Sequence, residues 1–265
     1  NFKRLPIWKV METKAGAEGN TLVLRHADYI LPLMEGYVNT FPTYTLHNRE
    51  HIYNVIRIMG DLLAERVDQL SGLEAMILIL SAIYHDYGMV YSEDERAKIT
   101  GYEDFNLEFL QSIPAARLMF ERGDKKVSKE LAEWYCRWAH ARRVWRKLDE
   151  TEAICGLLEF TKVPFRIQLG NVCESHNEPV ENIRVDDKRF DPAFLGECDL
   201  RFCALLLRLA DILDFDNSRS PQSVYDFLDL ANPKNYSEQI SKDEWNKHMA
   251  SHGFRFEKKA NSNPL

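Results

Sequence analysis

The chain has 265 residues, 45% of them hydrophobic, and 34 basic against 41 acidic side chains give a formal net charge of −7. That is enough apolar material to bury a full core without disulfides or a structural metal. The acidic balance argues against wholesale wrapping of nucleic acid, which needs a basic surface, while leaving room for a small anionic substrate held by a metal and a few arginines. No stretch approaches the roughly 20 apolar residues needed to span a bilayer, and Asn1–Trp8 lacks the apolar core of a signal peptide. A cytoplasmic location without membrane contact is therefore expected. The five cysteines (Cys136, Cys155, Cys173, Cys198, Cys203) form no CxxC pair and read as buried free thiols of a reducing compartment. A start without Met and the polar tail Lys258–Leu265 suggest a piece cut from a longer protein, although a processed end would look the same.

Helical patterning runs through the chain. Leu22, Leu24, Ile30, Leu33, Met34 and Tyr37 mark a helix over residues 22–38, which Phe41-Pro42-Thr43 interrupts. The next spans about Asn48–Glu65, with Ile52, Val55, Ile56, Met59, Leu62 and Leu63 on one face. Ser71-Gly72-Leu73-Glu74 is a capping box opening a helix through the apolar run to Tyr84, and Gly88 stops it. Residues 91–127 are charged and irregular, with one short helix expected near Tyr102–Leu110. Ser128 caps a helix to about Val144; a separate one is expected over Glu150–Phe160, and Pro164 suits the first turn of another ending near His176. Residues 177–197 read as a loop. Leu200–Leu213 is a strongly apolar helix, Ser218–Pro221 breaks it, and Ser241-Lys242-Asp243-Glu244 opens a last one. The fold class expected is all-α. Without a clean linker, the organisation expected is an amino-terminal helical extension (residues 1–40), a central domain (41–221) and a carboxy-terminal helix and tail (222–265).

Scattered His and Asp residues carry the chemistry. His85-Asp86 closes an apolar helix, where both side chains can reach one ion beyond the last turn. Asp211 is a carboxylate within an otherwise apolar helix. A buried charged Asp is expensive unless a cation compensates it, and mixed imidazole and carboxylate ligation suits iron, manganese or zinc while leaving positions open for water. Arg142, Arg143 and Arg146 lie near His140 and could bind phosphate, or Arg143 and Arg146 could lie on a solvated helix face. Arg219 could grip a phosphate. Arg208 reads as a structural partner of Asp211 or Asp214. Trp134, Tyr135, Trp138 and Trp145 recur at helical spacing, for which core packing outranks base stacking. His26, His248 and His252 lack such a context and are expected at the surface.

The string Tyr44-Thr45-Leu46-His47-Asn48-Arg49-Glu50-His51-Ile52-Tyr53-Asn54-Val55 resembles the first motif of the HD superfamily of metal-dependent phosphohydrolases. It also resembles the Tyr-His-Asn-x-x-His signature of cyclic-nucleotide phosphodiesterases, with residues inserted between Tyr and His. The order His51, His85-Asp86, Asp211 is that of the superfamily. Arg137-Trp138-Ala139-His140 resembles its Arg-x-x-His motif, and His176 resembles the next histidine. The strings around Tyr44–Val55, Glu74–Met89 and Leu206–Asp214 are most similar to bacterial HD domains joined to a GHKL-type ATPase domain. The resemblance implies an HD-domain helical bundle with an irregular insertion and flanking helices. It implies one or two divalent transition metals (Mn, Fe, Zn, Ni or Co, with Mg as an alternative) on His51, His85, Asp86, His140, His176 and Asp211, with Asp86 bridging and orienting water, and His47 as proton donor to the leaving oxygen. Arg142, Arg143 and Arg219 are the candidate substrate-binding residues. The expected ligand is a small phosphorylated molecule, a nucleotide by preference, and the expected partner a GHKL-type ATPase domain in the same protein. Met89 stands where many HD enzymes have Lys after His-Asp-x-Gly. That departure leaves open a nucleotide-sensing module without turnover, and a closed structural metal site is a third reading.

Overall fold

The most apolar segment of the chain lies at its centre. The structure is a computed structural model that describes residues 2–36, 40–184, 186–191, 198–215, 219–234, 236–251 and 253–254. Helix α1 (Pro6–Lys14) and the long α2 (Gly16–Glu35) precede α3 (Arg49–Leu63), whose cap is the Asn48 side chain accepting from the Glu50 and His51 amides. Helix α4 (Gly72–Tyr84) begins at the capping box: Ser71 accepts from the Glu74 amide and Glu74 reaches back to the Ser71 amide. Every residue from Ala75 to Tyr84 is buried, because α1, α2 and α3 surround α4 together with α8 (Arg166–Ser175) and α9 (Leu200–Leu213). A helix apolar on all sides must lie inside. The main core runs from Ile7 and Trp8 to Leu207 and Ala210.

Before α8, the insertion holds α5 (Glu93–Lys98), a π-turn at Phe105–Phe109 and α6 (Pro114–Arg122). These pack Phe105 and Phe109 against Tyr135 of α7 (Lys129–Cys155) in a second core. After α9, α10 (Gln222–Phe227) and α11 (Tyr236–Met249) form a small cluster around Tyr225, Leu230 and Trp245.

The chain is all-α, as expected, with local corrections. The two helices expected on either side of residues 145–149 are one: α7 runs 27 residues unbroken, because the charges there have partners and need no solvated break. Pro164 lies in a strand rather than a helix. Glu159–Phe160 pairs antiparallel with Val163–Pro164, and the two-residue turn Thr161-Lys162 has both φ values positive, the type I′ geometry that suits a tight hairpin. Helix α11 begins at Tyr236, ahead of Ser241. His26 and His248, expected at the surface, are buried: His26 Nδ1 lies 2.7 Å from the Tyr84 hydroxyl, and His248 packs on Phe215. His252 lies outside the described residues. All five cysteines are buried free thiols. Among the described residues no single helix is long and apolar enough to cross a membrane; the bent pair Gly72–Met89 and Glu93–Gly101 has the composition, but its first helix is the buried α4.

Candidate metal centre

Each titratable side chain of the centre sits at a helix end or on a helix face turned inward. His51 lies in the first turn of α3, His85 caps the end of α4 with Asp86 following, His140 is mid-way along α7, His176 caps α8, and Asp211 lies in the last turn of α9. All six converge. His51 Nε2 is 3.1 Å from His85 Nε2, 3.4 Å from Asp86 Oδ2 and 3.5 Å from Asp211 Oδ1; His85 Nε2 is 3.2 Å from Asp86 Oδ2. On the other side, His140 Nε2 and His176 Nε2 are 3.0 Å apart, and 3.8 and 3.9 Å from Asp86 Oδ1. Two groups result, His51–His85–Asp211 and Asp86–His140–His176, and the two oxygens of Asp86 face one group each.

The separations of 3.0–3.5 Å match the edges of a metal's ligand shell. Donors at about 2.1 Å from an ion lie roughly 3.0 Å apart at an octahedral corner and roughly 3.4 Å apart at a tetrahedral one. The tautomers agree. His51 Nδ1 donates to Asp214 Oδ2 at 2.7 Å, His85 Nδ1 to the Ala82 carbonyl at 3.0 Å, His140 Nδ1 to the Arg137 carbonyl at 2.7 Å, and His176 Nδ1 to the Cys173 carbonyl. A carbonyl only accepts, so those Nδ1 atoms carry hydrogens, and in the neutral form of each ring the Nε2 lone pair faces the centre. Burial holds His140 below its usual pKa, and burial with the neighbouring imidazoles brings His176 down to about 4. Two neutral rings therefore point lone pairs at each other across 3.0 Å, with a carboxylate beside them. A cation between them is what this donor set fits. At the first group burial opposes charge on His85, but Asp86 and Asp211 outweigh it and push its pKa up to about 10. Asp86 stays ionised against its burial because of His85 and His47, and Asp211 because of His85 and His51.

The turn that delivers Asp86 is clamped to α7. A Cβ at Gly88 would lie 2.0 Å from the His140 carbonyl oxygen, so only glycine lets the His85–Met89 turn come this close. Arg143, one turn after His140, donates to the Gly88 carbonyl and to Glu95.

Residues 41–265 match the model of the HD-CE family. The chain belongs to the HD-CE family. No curated protein and no solved structure matches it.

The centre of this HD-CE chain opens into a cavity of about 1040 Å³ lined by His47, Asp86, His140, His176 and Asp211 at its floor. His47 stacks on Tyr44, donates through Nδ1 to the Thr45 carbonyl, and has Nε2 3.8 Å from Asp86 Oδ2. Burial and the Arg219 charge hold its pKa well below the usual value. Of the three candidate substrate-binding arginines, Arg219 lines the cavity. Arg142 and Arg143 do not: Arg142 is half-buried, bonded to Glu108 and stacked on Trp138, and Arg143 is 1% exposed and committed to Glu95. Their helix face turns towards the insertion, which periodicity alone could not reveal. Arg208 pairs with neither Asp211 nor Asp214 but donates to the carbonyls of Ser175, His176 and Glu178. Of the α7 aromatics, Tyr135 is core, while Trp134 and Trp138 also line the cavity.

Sequence reasoning missed Asp214 as the residue orienting His51, Arg137 as a cavity residue, and the α11 side chains Ile240, Glu244 and His248 on the far wall. Asp214 had one available signal: it ends the apolar helix one turn after Asp211.

Proposed function

We propose that this HD-CE chain is a metal-dependent phosphohydrolase acting on a nucleotide or related phosphoester. The observation that supports it is the pair of neutral imidazoles, His140 and His176, whose bare Nε2 atoms face one another beside Asp86. Divalent ions held by His51, His85, Asp86, His140, His176 and Asp211 would supply Lewis acidity towards a phosphoryl oxygen and a means of ionising water near neutral pH.

The chain's own residues do the rest. Asp86 spans both groups and orients a water between them. Asp214 and the carbonyls of Ala82, Arg137 and Cys173 lock the imidazoles in one tautomer. His47 stands at the cavity side: with Nδ1 tied to Thr45, its Nε2 faces Asp86, and an arriving phosphate would offset the Arg219 charge and favour a proton there. That proton can pass to the leaving oxygen.

The ligand is proposed to be a small phosphorylated molecule. The GHKL-type ATPase domain that the sequence resemblance suggests is proposed as a partner within a longer protein. A second reading, a nucleotide sensor without turnover, draws on Met89, which lines the cavity where many HD enzymes carry Lys.

Elemental analysis of protein purified without added metal, followed by a nucleotide hydrolysis panel in Mn²⁺, Fe²⁺, Zn²⁺, Ni²⁺, Co²⁺ and Mg²⁺, separates these. An enzyme takes up about two ions per chain, releases phosphate or a nucleoside monophosphate, and stops in chelator. Tight nucleotide binding with no turnover in any metal would move the assignment to the sensor. Protein that takes up no ion would sink both.

A further inference from the structure

Three arginines line the cavity beside the His/Asp centre, each next to a different part of it. Arg137 sits one turn before His140, its carbonyl accepts from that ring, and its guanidinium lies over Tyr44. Arg208 lies three residues before Asp211 and spends one nitrogen on the carbonyls around His176. Arg219 is only 7% exposed; its Nε donates to the Leu46 carbonyl, in the strand of chain that carries His47, and its Nη1 to the Asp214 carbonyl. Its Nη2 is buried and has no hydrogen-bond partner among the described residues.

Other arginines of this chain are neutralised where they stand: Arg143 by Glu95, Arg189 by Glu178 and Asp187, Arg146 by Asp104. Among the described residues no carboxylate lies within ion-pair distance of Arg137, Arg208 or Arg219. The cavity wall has one carboxylate away from the metal centre, Glu244, and Lys247 already holds it at 2.8 Å. A buried guanidinium with an idle donor is costly unless an anion completes it, and its planar fork matches phosphate oxygens.

We propose that Arg137, Arg208 and Arg219 form an oligophosphate subsite, so that the substrate carries at least two linked phosphates, as a nucleoside di- or triphosphate does. The inference rests on the phosphohydrolase reading of the neighbouring centre. Charge decides between substrate classes. A phosphodiester brings one negative charge, which the metal centre alone would meet. Three further cations on three sides of that centre call for charge extending beyond the reacting phosphorus. The size agrees: about 1040 Å³ stands at the upper end of small-molecule cavities.

The test is calorimetric titration of the metal-loaded chain with inorganic phosphate, pyrophosphate and tripolyphosphate, with Mn²⁺ in excess over phosphate so that the centre stays filled. Affinity is expected to rise about tenfold or more from phosphate to tripolyphosphate. Arg137→Met and Arg208→Met should each remove about tenfold of that gain while changing phosphate binding little. Arg219→Met should remove a similar share of the gain and weaken phosphate binding as well, because its charge also faces the reacting phosphate; if it fails to fold, Arg219→Lys, which lacks the outward Nη2, replaces it and should lose the same share of the gain. Equal affinity along the series, or an unchanged gain in the Arg137 and Arg208 variants, would overturn the subsite. A chain that binds metal and hydrolyses a singly charged cyclic nucleotide at undiminished rate in all three variants would overturn it too, and would leave the phosphohydrolase reading intact.

Discussion

Two buried charged regions sit back to back on α7, separated by one helical turn, and they are built on opposite logic. Behind the His85–Met89 turn, Glu95 receives Arg143 and Lys147, Lys147 also reaches Glu150, and Arg143 ties down the Gly88 carbonyl. The two cations hold Glu95 below the usual carboxylate range although burial pushes the other way. That network contains its own counter-charges. In front of the turn, four imidazoles crowd around two carboxylates, and among the described residues three cavity arginines have no acidic partner. Buried charge that is balanced within the chain holds the fold; buried charge left unbalanced waits for something from outside. The first region exists to position the second, since Arg143 and His140 share a helix and Asp86 rides on the turn that Arg143 grips.

The comparison can be broken most severely from behind. Arg143→Met leaves Glu95 buried with half its compensation and should lower unfolding free energy by about 3–5 kcal/mol in urea titration. Adding Glu95→Gln and Lys147→Met should restore most of it; no recovery would mean that the network is not self-contained. In front, Asp86→Ala should keep the fold but cut hydrolysis on the order of a thousandfold and abolish shared occupancy by two ions. Full activity in that protein would remove the front region from the chemistry.

A third prediction sharpens the contrast with a histidine that belongs to neither region. Burial, helped by Arg25, brings His26 down from 6.5 to about 4. The unfolded chain therefore takes up this proton first as pH falls. The stabilisation is complete above pH 6.5, declines as pH drops towards 4, and then levels off. At about 1.4 kcal/mol per unit the effect is about 3 kcal/mol. Stability of wild type and His26→Gln, measured side by side across that window, should converge at the acid end, because the titrations of the metal centre are common to both; parallel curves would count against it. The smallest effect is expected at Asp214→Asn, which loosens the His51 tautomer and should weaken metal affinity about 10–100-fold, read by competition with a fluorescent chelator. An unchanged affinity would deny Asp214 that role.

Much of this was legible before folding. The capping box at Ser71–Glu74, the bounds Leu200–Leu213 and the placing of His85, Asp86 and Asp211 follow from local rules: a cap satisfies free amides, a 3.6-residue period marks a buried face, and a charge among apolar residues needs a reason; His51, His140 and His176 came in through the resemblance to HD-domain motifs. The roles of the arginines were not legible. Arg142 and Arg143 are adjacent in sequence, yet one is half-buried against Trp138 and Glu108 and the other is sealed against Glu95. The unbroken α7 was hidden as well, because the charges at Arg146 and Lys147 read as a surface break until Asp104, Glu95 and Glu150 supplied their partners.

By itself the sequence determined an all-helical chain with an ordered set of imidazole and carboxylate groups on helices or at their ends, since helix periodicity and capping act over a few residues. Only the tertiary structure decided that the two oxygens of Asp86 face separate groups, that Asp214 orients His51 from 163 residues away, and that Arg137, Arg208 and Arg219 share one cavity. Those facts depend on which helix faces meet, and packing between distant segments, not local propensity, fixes that.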